Sequence, residues 1–326
     1  MMKKTKITAL LLALSLLAGC GSAAQPAPAE DAAYIDQAEV SQAEIGAEVA
    51  ALSFSPAAIH NLLLPEASGK QTEKNGKAVI DYSNIADGYV MAQFTAKTEK
   101  RLMAQVAGPT TTYTYNLPAG EWATFPLSDG NGSYTVTVLE NASGTKYAVV
   151  LSASFQVKLK DEFAPFLRPN QYVDYSSASK TVDKAAELTK GVTDPLAKVE
   201  KIYDFVVKNL TYDTAKAQSV KSGYLPVLDD VLTTKKGICF DYASLMAGML
   251  RSQGVPCKLV VGYAGKAYHA WINVWTEETG WIDGVIYFDG SVWQRMDPTF
   301  ASSGKGNEAI LKYIGDGSNY TVCYLY

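Results

Sequence analysis

The spacing of apolar and polar positions changes period along this chain of 326 residues, and each period predicts a different architecture. Between Tyr89 and Leu159 the period is two. Tyr89 to Phe94, Leu102 to Val106, Tyr113 to Leu117, Tyr134 to Leu139, Tyr147 to Leu151 and Ser154 to Leu159 alternate. Turn signals such as Asp129-Gly130-Asn131-Gly132 and Asn141-Ala142-Ser143-Gly144 lie between them. Short strands at this spacing predict an immunoglobulin-like β-sandwich over 86–162. Beyond Leu167 the period becomes helical. Asp194 is a good N-cap with Pro195 at the first helical position, and Leu196, Val199, Ile202, Phe205 and Val206 form an apolar stripe. A second helix is expected from Cys239, burying Phe240, Ala243, Met246, Ala247 and Leu250 and ending at Gly254 and Pro256. Strands are expected at Lys258 to Tyr263, Ala270 to Trp275, Trp281 to Phe288 and Trp293 to Met296. The segment 163–326 therefore reads as α+β, helices packed on an antiparallel sheet. Residues 34–85 show no settled period: Tyr34 to Leu52 fits a short amphipathic helix, and Ser68 to Lys77 a polar loop.

The start of the chain has a pattern of its own. Lys3, Lys4 and Lys6 precede an apolar run from Ile7 to Leu17, too short to span a bilayer and ordered as in an export signal over 1–19. Leu17-Ala18-Gly19-Cys20 resembles the bacterial lipobox, which implies lipidation of Cys20 and a membrane anchor on the extracytoplasmic face. Residues 20–33, rich in Ala, Pro, Gly and Ser, read as a flexible tether. Without the leader the formal charge moves from −4 to about −7, because three lysines leave and no acid does. A mildly acidic chain has no electrostatic reason to bind nucleic acid.

The chemistry concentrates in three short stretches: Gly237-Ile238-Cys239-Phe240-Asp241-Tyr242, Tyr268-His269-Ala270-Trp271 and Met296-Asp297-Pro298-Thr299. Thiol, imidazole and carboxylate in this order are the parts of an activated cysteine nucleophile, its base and the base's orienter. Of the two histidines, His60 and His269, only the second stands in such a setting; His60 reads as a surface or core residue. A cysteine in the first helical turn is favoured as thiolate by the unpaired N–H groups and the helix dipole, and those groups can also receive an oxyanion. On the strand, His269 shares a face with Trp271 and Asn273, while Ala270, Ile272 and Val274 face the other way. Trp271 is expected to shield the site, pack beside the imidazole or contact substrate.

Together with Leu250 to Pro256, Gly262-Tyr263, Gly280-Trp281 and the Ala243 that follows Tyr242, these stretches resemble the core of the transglutaminase-like superfamily in its bacterial branch, over roughly Leu167 to Phe300. The resemblance implies a papain-like fold with Cys239 as nucleophile, His269 as base and Asp297 as orienter. It implies a cysteine enzyme acting on amide bonds of proteins or peptides outside the cytoplasm through a thioester. Hydrolysis is the preferred outcome, Gln-Lys cross-linking the alternative. Two rivals differ in kind: a non-catalytic surface binding protein on the same scaffold, and acyl transfer from a thioester donor. No Cys-x-x-Cys pair or glycine-rich phosphate loop supports a metal or nucleotide cofactor. Cys257 and Cys323 fit either a disulfide or two buried thiols.

Overall fold

Eight strands make up the first part of the structure, a computed structural model that describes residues 62–221, 223–277, 280–282, 286–288, 293–295 and 319–326. They are β1 (Thr72–Lys74), β2 (Ala78–Asp81), β3 (Tyr89–Phe94), β4 (Leu102–Ala107), β5 (Thr112–Asn116), β6 (Trp122–Pro126), β7 (Gly132–Ser143) and β8 (Lys146–Val157). Two antiparallel sheets of four strands result, in the orders β1-β2-β3-β6 and β5-β4-β7-β8. Alternation explains their faces: in β3 Val90, Ala92 and Phe94 are fully buried, and in β7 Tyr134, Val136 and Val138 are buried while the threonines between them stay accessible.

Three expectations shift here. Strand pairing begins at Thr72, ahead of the expected boundary at 86. β1 occupies part of the polar stretch read as a loop, since a three-residue edge strand with little buried surface needs no apolar side chains. The two strands expected between Tyr147 and Leu159 are one strand, β8. Ser152 and Ser154 lie outside and pair with the hydroxyls of Thr137 and Thr135 at 3.1 and 2.9 Å, while Ala153 between them is buried. The helix expected over Tyr34 to Leu52, the signal and Cys20 lie outside the described residues.

The second part contains α1 (Lys180–Leu188), α2 (Pro195–Asn209), β9 (Thr211–Tyr212), α3 (Thr214–Ser219), α4 (Leu228–Thr234), β10 (Lys236–Gly237) and α5 (Cys239–Ser252). It continues with β11 (Cys257–Ala264), β12 (Ala267–Thr276), β13 (Gly280–Ile282), β14 (Ile286–Phe288), β15 (Trp293–Arg295) and β16 (Tyr320–Leu325). The main sheet is antiparallel, in the order β13-β12-β11-β16. α2 starts as its sequence dictates, with Asp194 accepting the Ala197 N–H at 2.7 Å ahead of Pro195. Helix α5 is buried on every side from Asp241 to Ser252, packed on β11 and β12 and covered by α1, α2 and α4. Near its end the buried Arg251 guanidinium donates to the carbonyls of Cys257, Arg168 and Tyr326, which ties helix, loop and β16 together.

One buried apolar cluster runs through both parts. Phe125, Tyr115, Tyr172 and Phe240 follow one another ring to ring at 4.9, 5.8 and 5.8 Å. This aromatic line leads from between the N-terminal sheets to the residue after Cys239. Among the described residues, no helix is long and apolar enough to cross a membrane.

Candidate active site

The start of α5 is held by short-range geometry. α4 ends at Lys235, whose φ of 55° is left-handed and closes the helix. The chain then makes a two-residue parallel pairing, Lys236 with Thr211 and Gly237 with Tyr212. Ile238, extended at ψ 178°, is the N-cap, and Cys239 takes the first helical position. Gly237 is required for packing: a Cβ there would stand 2.5 Å from that of Asp241. Cys239 is half-buried and its thiol is free.

Behind Cys239 the carboxylate of Asp241, fully buried, reaches back to accept the Ile238 N–H at 2.8 Å. The same oxygen accepts from Lys216 Nζ of α3 at 2.7 Å, and the other accepts from the Tyr224 hydroxyl. Burial first, and then the hydrogen bond to Asp241, push the Tyr224 hydroxyl far above its usual range, so it remains a donor. Asp241 stood in the sequence motif without a role. A carboxylate at the third helical position is the usual signature of such a cap; its partners Lys216 and Tyr224 carry no local signal.

Cys239 and His269 line one cavity of about 50 Å³, together with Tyr172, Val220, Tyr224, Ile238, Phe240, Val261, Tyr268 and Ala270. His269 is buried, 6% exposed, and stands on β12 opposite Gly262 of β11. Its ring lies 6.2 Å from that of Trp271, the two planes 23° apart, and Tyr320 packs edge-on against the indole at 5.1 Å. The expected division of β12 is visible: Ala270, Ile272 and Val274 belong to the core cluster and Trp271 does not. Trp271 takes the place beside the imidazole. At 3% exposure, and outside the set of residues lining the cavity, it offers a substrate almost no surface, against the substrate-contact role expected of it.

Asp297 lies outside the described residues. Cys257 and Cys323 are free thiols, so the disulfide reading falls away. Burial pushes the Cys257 thiol up to about 12 and the Cys323 thiol upward as well. Among the described residues, no three His, Cys, Asp or Glu side chains gather as a metal site would need.

Residues 182–298 match the model of the transglutaminase-like superfamily. The chain is 26% identical over 172 residues to the uncharacterized protein YebA of Bacillus subtilis, a stretch covering 46% of this chain and 22% of that protein. It is 36% identical over 70 residues to a protein-glutamine gamma-glutamyltransferase of Pseudomonas aeruginosa, covering 17% of this chain and 10% of that one. The chain thus spans only a small share of the length of these curated relatives. Among solved structures, a candidate cysteine protease from Cytophaga hutchinsonii is 17% identical, with a TM-score of 0.36 over 71% of this chain and 73% of that one. Red sea bream transglutaminase is 14% identical, with a TM-score of 0.30 over 70% and 53%. The matched span takes in the cysteine that opens α5, the histidine of β12 and Asp297, and it establishes that this chain carries a domain of the transglutaminase-like superfamily.

Proposed function

We propose that the chain is an extracytoplasmic cysteine enzyme, anchored through a lipid on Cys20, that opens amide bonds of proteins or peptides by way of a thioester. One observation carries the reading: a free, half-buried thiol at the first position of a helix lines the same small cavity as His269. The Cys239 sulfur attacks the amide carbonyl carbon. The oxygen's developing charge is received by N–H groups of the first turn of α5, which lack partners within the helix. His269 takes the thiol proton and returns it to the departing amine, and Asp297 holds the imidazole in one tautomer. The thioester then passes its acyl group to water, which regenerates the thiol and releases the acid.

Cross-linking is the second reading, and two observations support it. The cavity is lined mainly by apolar and aromatic side chains, which keeps water from a thioester until an amine arrives. The 70-residue stretch is similar to a part of a protein-glutamine gamma-glutamyltransferase. The two-sheet N-terminal part is taken as an immunoglobulin-like module that supports the site. Incubating the protein with glutamine-containing peptides and a labelled primary amine, followed by mass spectrometry, separates the outcomes. Hydrolysis leaves a new acid, transamidation leaves the label, and an unchanged mass with both would remove the enzymatic reading.

A further inference from the structure

Beside the thiol cavity lies a larger cleft of about 730 Å³, between the N-terminal sheets and the segment leading into the helices. Residues next to one another in the chain line the two spaces. Tyr172 lines the small cavity while Asn170, Gln171 and Tyr175 line the cleft; Tyr224 lines the small cavity while its neighbour Leu225 lines the cleft. Neighbouring Cα atoms are about 3.8 Å apart, so the backbone at these two points runs past both spaces.

The cleft has three features that point to one kind of occupant. Its floor is apolar, with Met91, Leu117, Pro118 and Leu225, and Trp122 stands at its rim with 39% of its surface exposed. It also contains buried donors with nothing to bond. Asn170 is 5% exposed, and its Oδ1 accepts from the N–H groups of Tyr172 and Val173 at 2.9 and 3.2 Å. Its Nδ2, and Nε2 of Gln171, have no hydrogen-bond partner among the described residues. A buried polar group left without a partner is destabilising, so both amides call for an acceptor. Third, β6 is the terminal strand of its sheet, and the cleft touches three of its residues in a row, Trp122, Ala123 and Thr124. Successive residues point to opposite faces, so contact with all three is contact along the strand's edge. Lys100 and Arg101 on the rim are matched by Glu121 and Asp174, so the charges favour neither a polyanion nor a polycation.

We propose that this cleft binds an extended stretch of substrate polypeptide flanking the amide offered to Cys239. Backbone carbonyls accept from Asn170 and Gln171, the backbone pairs along β6, and an apolar side chain packs on Trp122. The inference rests on the proposed amide chemistry for its purpose: a cavity of about 50 Å³ has room for little beyond the reacting group, so affinity must come from outside it. An extended chain rises about 3.3 Å per residue, so a few residues of substrate reach well beyond the reacting group.

The test uses the full chain carrying Cys239→Ser, with fluorescein-labelled β-casein, an unfolded polypeptide, as the probe in fluorescence anisotropy. Saturable binding is expected, weakened about tenfold or more by Trp122→Ala and by Asn170→Asp. The second change keeps the Oδ1 acceptor and turns the donor into a charged acceptor oxygen. An unaltered thermal transition for Trp122→Ala shows that its effect is not a folding defect. Binding indifferent to both changes overturns the proposal. So does a lack of saturable binding, which would give the cleft to another occupant, this chain's own residues 1–61 included. The chemistry is read separately with Cys239 intact: loss of the amide reaction alongside Trp122-dependent binding leaves the cleft standing, and the reverse pair of results removes only the cleft.

Discussion

The carboxylate of Asp241 accepts the backbone N–H of Ile238 at 2.8 Å, at the residue immediately before Cys239. The position of the thiol therefore depends on a buried side chain two residues on, which is itself held by Lys216 and Tyr224.

Asp241→Ala should lower stability by about 3 kcal/mol, since it removes a cap and leaves a half-buried ammonium and a hydroxyl without their acceptor. Asp241→Asn should cost less, because an amide oxygen can still accept the Ile238 N–H. Urea unfolding followed by circular dichroism measures both; equal stability of Asp241→Ala and the parent would show that the network contributes nothing.

Iodoacetamide at neutral pH should modify Cys239 well before Cys257 or Cys323. The thiolate is the reactive form, and burial holds the Cys257 thiol near 12 and raises that of Cys323. His269→Ala should slow the labelling of Cys239 severalfold, and Asp297→Asn should slow it less. Peptide mapping by mass spectrometry reads all three sites at once. Equal rates at the three cysteines, unaffected by His269→Ala, would favour a binding protein over an enzyme.

Asp229 supplies a pH test. Its carboxylate, on α4, receives the N–H groups of Lys180 and Thr181 at 3.0 and 2.9 Å and the Thr181 hydroxyl at 2.8 Å, at the first turn of α1. Burial acts to raise its pKa, but these hydrogen bonds together hold it below the usual carboxylate value. A depressed folded value contributes stability that is present above the unfolded value and lost as pH falls through the folded one. Asp229→Asn should therefore be less stable than the parent near pH 7, with the gap closing below about pH 4. Thermal melts across that range check it, and a gap independent of pH would refute the assignment.

Cys20→Ala should abolish incorporation of a fatty-acid analogue and move the protein out of the membrane fraction, or leave its precursor uncleaved. Unchanged metabolic labelling would remove the anchor.

Much of this was legible because it depends on local pattern. The strand from Tyr89 to Phe94, the helix opening at Asp194-Pro195 and the helix opening at Cys239 follow from periodicity and capping residues next to one another in sequence. What stayed hidden depends on distant partners. β16 is exposed or half-exposed at every position but Tyr324, and it is a strand because β11 lies beside it. β6 is short and ends in proline, as an edge strand can. Lys216 and Tyr224 stand far from Asp241 in sequence, and only folding makes them its neighbours.

The aromatic line from Phe125 through Tyr115 and Tyr172 to Phe240 bears on where the chain can be cut. A border near residue 163, where the sequence period changes, runs through a single hydrophobic interior. Residues 163–326 produced alone would expose Tyr172 and Tyr326, both almost wholly buried in the intact chain. The two halves should melt in one cooperative transition, and a shortened form lacking the strands should be recovered as aggregate.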